Sequence, residues 1–354
     1  MRPKRLLVTL LTIAAAHILW LQSAFCQQTN SSWSPDILGD GLEMRYVKHH
    51  DDYSGPVRST IIRKLCENDS VSRGILYVHG FNDYFFNSEM ADEFVDHGYD
   101  FYAVDLRKYG RSIIEGQHKF EARNLKEYFP DIDSALVTMK QSGLKEIVMM
   151  GHSTGGLIAS YYLANQANPV NIDALILNSP FLDWNLGKIE WMVPAVSAVG
   201  YVFPDFPVPQ SKSTAYGESL LKSHKGEWDY DTRWKLMQSP TVTAGWVRAI
   251  NGAQDYLHSG EHKINIPILL MYSSMSLTVD DWTPQCQSAD IVLDAGDIKK
   301  YGLLLGNNVT CVKVQGGLHD LLLSRKTIRQ PLYNEIFSWL NKHLRQTCVE
   351  TATK

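Results

Sequence analysis

Residues 149–164 read MMGHSTGGLIASYYLA. The run before it, 145–150, is short, apolar and β-branched at Ile147 and Val148, which predicts a buried strand; after it Leu157, Ile158, Tyr161 and Leu163 recur at helical spacing. The polar residues His152, Ser153 and Thr154 fall where the chain must turn. Gly151 and Gly155 give the pattern G-x-S-x-G, and a side chain at either glycine would collide with the neighbouring strand or helix in so tight a bend. Such a turn lifts Ser153 above a sheet, with the free N–H groups and positive end of a helix behind it. A serine hydroxyl is a weak nucleophile alone. It needs a base within hydrogen-bond reach and a carboxylate to orient that base.

Outward from this turn, strand-like and helix-like segments alternate. A strand over 74–80 ends in His79-Gly80, a helix spans 88–97, a strand 100–104 and a helix 125–142; beyond the turn comes a strand over 172–177. That alternation predicts an α/β fold, a mostly parallel central sheet flanked by helices. Between 181 and 260 the rhythm stops. This stretch carries Trp184, Trp191, Trp228, Trp234 and Trp246, with FPDFPVP at 203–209 breaking any helix, and it reads as an inserted, mostly helical cap over 182–260. The pattern resumes with strands over 266–272 and 309–314 and an amphipathic helix over 331–344, so the core comprises 27–181 and 261–348, followed by a tail, 349–354. Upstream, 43–67 reads as a hairpin. Its neighbours His49 and His50 point to opposite faces and make a poor metal pair.

Arg2, Lys4 and Arg5 precede a nearly all-apolar run over 6–21 and small or neutral residues through Ala24 and Cys26, which predicts a secretory signal peptide over 1–26. Export to the secretory lumen or the exterior follows; an uncleaved signal anchor tethering the protein to a membrane is the alternative. Sequons at Asn30, Asn68 and Asn308 agree with a secreted glycoprotein. Without Cys26, four cysteines remain, with Cys286–Cys311 and Cys66–Cys348 as the expected disulfides. The formal charge is −4, and −7 without the three leader cations, with no basic run, so nucleic acid is not an expected partner.

YVHGFNDY at 77–84, DLRKYGRS at 105–112, GHSTGG at 151–156 and GGLHD at 316–320 together resemble the α/β-hydrolase superfamily, in particular its monoacylglycerol-lipase and serine-aminopeptidase (S33) branch. The resemblance extends from about residue 74 to 343, except the cap. It implies Ser153 as nucleophile, His319 as base, and the backbone N–H groups of Phe81 and Thr154 as the oxyanion hole. His79 would shape the oxyanion turn and His152 would pack beside the elbow. Relatives usually end the penultimate strand in H-G-x-x-D, whereas this chain has YSSMSL at 272–277. The expected acid is Asp290, because SADIVLD at 288–294 resembles the family's A-D-x-V-V-x-P run; Asp280 and Asp281 are the alternatives, and 275–287 would be a loop insertion.

The expectation is therefore a secreted serine hydrolase cleaving carboxylic esters of lipid type, with a small acyl ester or lipid as substrate and contact with a lipid surface. No metal or organic cofactor is expected, since no histidine pair has ligand spacing. Phe85, Phe86, Trp184, Trp191, Met192, Val193 and Val196 are the candidate acyl-pocket residues. Two rivals stand beside this reading: a peptidase holding the substrate's α-ammonium with Glu190, Asp205, Glu218 or Glu227, and a catalytically inactive binding scaffold.

Overall fold

The computed structural model describes residues 32–68, 70–165 and 172–344. The expected signal peptide over 1–26, Cys26, Asn30 and Cys348 lie outside these residues. No described helix is long and apolar enough to cross a membrane.

Among the described residues, nine strands form one sheet in the order β1-β2-β3-β5-β4-β6-β7-β10-β11. The hairpin is present: β2 (Glu43–Lys48) pairs antiparallel with β3 (Arg58–Lys64), and the two-residue β1 (Ser34–Pro35) extends its edge. β5 (Asp100–Asp105), β4 (Arg73–Val78), β6 (Glu146–His152), β7 (Ala174–Asn178), β10 (Ile268–Ser273) and β11 (Val309–Val314) are mutually parallel. β5 and β10 are buried along their whole length, as continuous apolar strands covered on both faces must be.

Alternation along β4 shows how the two cores separate. Leu76 and Val78 join the cluster that contains Leu157 and Ile250, whereas Ile75 and Tyr77 join the one that contains Phe94, Phe337 and Trp339. The first face thus carries α2 (Phe129–Gln141), α3 (Thr154–Asn165) and α6 (Ala244–His258), and the second carries α1 (Ser88–Asp96) and α8 (Lys326–Leu344). β5 lies on one side of β4 and β6 on the other. The chain direction across the sheet therefore reverses here, and a crevice opens beyond the carboxyl ends of these two strands.

The inserted segment sits over that crevice. It contains a 3-10 turn (Gly187–Met192), α4 (Val193–Val202), the paired dipeptides β8 (Pro207–Val208) and β9 (Val242–Thr243), and α5 (Ala215–Leu220). It ends in α6, whose Tyr256 hydroxyl donates to Ala164 O on α3. A satellite cluster of Tyr84, Phe86, Leu220, Leu318 and Leu323 binds cap to core. Asp294 caps α7 (Ala295–Gly302), accepting from the N–H groups of Gly296 and Asp297.

Candidate active site

Ser153 occupies the left-handed region, at φ +52°. A non-glycine residue held there stores on the order of 1–3 kcal/mol, so the surroundings must over-determine it. They do so through three backbone bonds: Ser153 N–H donates to Asn178 O (3.0 Å), while Ser153 O accepts from Leu157 (3.1 Å) and Phe181 (2.9 Å). The glycines are required by close approach. A Cβ on Gly155 would lie 2.3 Å from Val78 O and His79 O, and one on Gly151 would lie 2.5 Å from Gly155 O.

His319, on the loop after β11, brings Nε2 to 2.9 Å from Ser153 Oγ and Nδ1 to 2.8 Å from Asp290 Oδ2. All three side chains are buried. The bond from Nδ1–H to the carboxylate leaves Nε2 as acceptor for the serine hydroxyl. The second carboxylate oxygen, Oδ1, accepts from the N–H groups of Val292 and Leu293, both at 2.8 Å. Backbone bonds from Asp290 N to Met275 O and from Leu277 N to Asp290 O dock this segment against the loop after β10. Asp280 and Asp281 are exposed and take no part.

The 275–287 insertion is pinned to the cap, through Trp282 Nε1 on Ser219 Oγ (3.1 Å) and Gln287 Nε2 on Ser219 O (3.0 Å). Its cysteine corrects an expectation: Cys286 and Cys311 are both free. Cys286 Sγ is buried and accepts from Thr283 N–H in a 3-10 turn, whereas Cys311 lies on edge strand β11. Cys66 is also free among the described residues.

Thr154 opens α3, and Phe81 follows the turn at Gly80. Among the described residues neither backbone N–H meets an acceptor, and both residues line the cavity over Ser153. The turn itself is built on His79, whose Nδ1 donates to Gly80 O (2.8 Å) and whose Nε2 accepts from Leu106 N–H (3.1 Å). Burial lowers the pKa of this ring, which favours the neutral tautomer that both bonds require. The DLRKYGRS stretch buttresses the same turn: Asp105 accepts from Phe85 N–H and from Arg111, and Arg111 also pairs with Asp36.

The cavity above Ser153 measures about 220 Å³. Phe81, Phe181, Trp184, Leu186, Trp246 and Leu293 supply apolar lining; Tyr216, Tyr230, Lys235 and Gln210 supply polar groups. Of the seven acyl-pocket residues expected from sequence, only Trp184 lines it. Phe85 and Phe86 are consumed by core packing, and Trp191 is 75% exposed on the outer cap. Phe81 and Trp246 were legible as aromatics, but their ring contact at 4.7 Å is a tertiary fact.

Tyr216 and Lys235 were not singled out in the sequence. The Tyr216 ring lies 5.6 Å from that of His319, and its buried hydroxyl has no hydrogen-bond partner among the described residues. Burial, and then the fields of Asp320 and Asp83, push this phenol well above its ordinary pKa, so it stays an O–H donor. Lys235 Nζ reaches down from the cap to Asp83 Oδ1 at 2.8 Å. Burial alone would raise the Asp83 carboxyl, yet Lys235 and the His152 ring hold it well below the usual range. None of the four carboxylates expected of a peptidase lines the cavity: Asp205 pairs with Arg123, Glu227 with Arg329, Glu218 accepts from Thr214, and Glu190 accepts from Leu186 N–H.

Comparison with known proteins agrees with this architecture. Probable lysophospholipase L2 of Haemophilus influenzae is 26% identical over 272 residues, 72% of this chain and 79% of that protein. Phospholipase YtpA of Bacillus subtilis is 22% identical over 211 residues, 58% of this chain and 76% of that protein. Among solved structures, a soluble variant of the monoglyceride lipase of Saccharomyces cerevisiae superposes with a TM-score of 0.61 at 16% identity, covering 88% of this chain and 94% of that one. The monoacylglycerol lipase of Paleococcus ferrophilus superposes with a TM-score of 0.58 at 16% identity, covering 81% and 99%. The family model for serine aminopeptidase, S33, matches residues 69–285, a span that contains Phe81 and Ser153 and stops before Asp290 and His319. With well over half of its length matched, and with the sheet order and the glycine-flanked turn at Ser153 described above, the chain belongs to the serine aminopeptidase S33 family of α/β-hydrolases.

Proposed function

We propose that this protein is a serine hydrolase cleaving carboxylic esters of lipid type, with Ser153 as nucleophile, His319 as general base and acid, and Asp290 as the group that orients and stabilises the imidazolium. The observation that carries this reading is the unbroken chain of hydrogen bonds Ser153–His319–Asp290 beneath a cavity with an aromatic wall. As Ser153 Oγ attacks the acyl carbonyl, its proton passes to His319 Nε2. The oxyanion is received by the N–H groups of Phe81 and Thr154. His319 then returns the proton to the leaving alcohol, and water, activated by the same ring, releases the acid from the acyl-enzyme.

Lipid esters are favoured by the apolar wall and by relatives named as a lysophospholipase and a phospholipase. Contact with a lipid surface is supported by the outer cap, where Trp191, Tyr201, Val202, Phe203 and Phe206 are all more than half exposed, in the same inserted segment that gives Leu186 to the cavity wall. Such a concentration of apolar surface is unusual for a face that meets only water. The leader-like run over residues 1–26 supports a reading in which this activity works in the secretory lumen or outside the cell, with tethering by an uncleaved anchor as the alternative.

Fluorophosphonate labelling tests the enzyme reading: the expected result is covalent labelling of the full chain that disappears in Ser153→Ala. A folded, unlabelled wild-type protein would instead favour a binding scaffold. Purified protein should turn over monoacylglycerols, lysophospholipids or aryl esters in preference to aminoacyl amides. The reverse preference would replace the esterase reading with the peptidase one.

A further inference from the structure

Behind Ser153, the side chains of Asp83, His152 and Asp320 converge in a cluster that the proposed cycle does not use. Each is 3% exposed or less. One oxygen of each carboxylate is already committed: Asp83 Oδ1 accepts from Lys235 Nζ at 2.8 Å, and Asp320 Oδ1 accepts from Asn178 Nδ2 at 2.7 Å and Leu322 N–H at 3.1 Å. The other oxygen of each, Oδ2, faces His152 Nδ1 at 3.6 Å, which is too long for a hydrogen bond. Neither ring nitrogen of His152 has a hydrogen-bond partner among the described residues.

Two features of this arrangement call for a cation. A buried imidazole with neither nitrogen within hydrogen-bond distance of a partner is costly, and around the neutral ring the two carboxylates face a single ammonium, a deficit of positive charge that a bound cation makes good. Two of the three ligand separations are also close to those around a bound ion. A zinc ion bonded at about 2.0–2.2 Å holds tetrahedral ligand atoms roughly 3.4 Å apart, against 3.6 Å here, and the three candidate ligand atoms lie within 4.8 Å of one another. Lys235 and Asn178 then stand where outer groups orient ligating carboxylates. His152 and Lys235 line the cavity, which gives an ion its route in and a water its place as fourth ligand.

We propose that Asp83, His152 and Asp320 form a binding site for a divalent cation of the zinc class. One imidazole nitrogen with two carboxylate oxygens suits zinc or cobalt better than magnesium or calcium. The His152 ring centroid is 5.0 Å from that of His319. A divalent charge held there opposes the positive charge that His319 gains during attack, so occupancy slows turnover. That kinetic consequence rests on the proposed cycle, whereas the binding does not.

The test is titration of the metal-stripped full chain with cobalt(II), read by its visible absorption, followed by displacement with zinc. The expected result is one ion per chain, with affinity reduced about tenfold or more in His152→Gln. Lys235→Met keeps all three ligands and removes the ammonium competing for Asp83, so its affinity should rise about tenfold, a gain that misfolding does not imitate. Stoichiometric binding that is unchanged in His152→Gln, or the absence of binding in both wild type and Lys235→Met, overturns the site. Ester hydrolysis reads the coupling separately. Zinc should slow the wild type and leave His152→Gln unaffected by the metal, and undiminished turnover in a fully loaded wild-type enzyme overturns the coupling.

Discussion

His319 Nε2 lies 2.9 Å from Ser153 Oγ although 166 residues separate them in the chain. The two meet because β6 and β11 run parallel in one sheet, which sends the loops that follow both strands to the same edge. Asp290 arrives by a different route, bridged to Ser276 beyond the end of β10.

Asp290→Asn should retain the fold and lower kcat by about 10³–10⁴-fold, since an amide favours the wrong imidazole tautomer. Asp280→Asn and Asp281→Asn, at exposed positions, should stay within twofold of wild type. Steady-state kinetics on one soluble aryl ester, with circular dichroism as the folding control, decides the assignment; full turnover by Asp290→Asn would remove it.

Gly155→Ala should be among the most damaging single-methyl changes in the molecule. The added carbon meets two backbone oxygens at 2.3 Å that cannot rotate away. Overpacking of a close-packed site costs about 1–3 kcal/mol, and here the strand and helix must also part. Thermal unfolding should show a clear loss of Tm together with loss of fluorophosphonate labelling.

The Asp83–Lys235 pair, both members buried, gives a sign to acid sensitivity. In the unfolded chain a carboxyl of this type titrates near about 3.9, whereas Asp83 in the fold stays ionised further into acid. Its contribution to stability is therefore complete above that value and is lost as pH falls through the lower folded value, because the unfolded chain takes up the proton first. Asp83→Asn should destabilise by about 3–5 kcal/mol at neutral pH, chiefly by leaving Lys235 buried and unpaired. The gap to wild type should close below about pH 4. Urea unfolding across pH 2–7 measures it, and a gap that widens in acid would contradict the pairing argument.

Trp184 packs edge-on to Phe181 and Trp246 in the cavity wall. Trp184→Ala should lower kcat/KM for medium and long acyl chains far more than for acetyl esters, since each buried methylene contributes about 0.8 kcal/mol. A uniform drop across a chain-length series would instead mean that the acyl group lies elsewhere.

On the outer cap, the double change Trp191→Ser and Phe203→Ser removes two large exposed apolar groups that do not line the cavity. Binding to neutral lipid vesicles should fall about tenfold or more, at about 25 cal/mol per Å² of apolar area kept out of water. Hydrolysis of a soluble ester should persist. Unchanged vesicle binding would assign the patch another role.

The strands and helices of the core were legible because their signal is local. β11 was read to the residue, and other core elements to within a few residues, from the two-residue alternation or unbroken apolar runs of strands and from helical spacing. The turn at Ser153 was legible for the same reason, since Gly151 and Gly155 answer to backbone contacts a few residues away or to the strand beside them. The sequence alone thus determined the layered α/β architecture, the place of Ser153 and, through a short motif after the last strand, the place of His319.

What tertiary structure decided depends on which surfaces face one another across long separations. Phe85, Phe86 and Trp191 look alike in sequence as candidate pocket residues, yet packing sends two into the core and one to the surface. The Cys286–Cys311 pairing failed because nearness along the chain does not bring two sulfurs together when one sits in a cap-facing turn and the other on an edge strand. Lys235, Asp83, His152 and Asp320 belong to no single motif. The sheet gathers Asp83, His152 and Asp320 beyond the carboxyl ends of β4, β6 and β11, and the seating of the cap adds Lys235 to complete one charge cluster, because the energy of buried charges depends on distance in space and not on order along the chain.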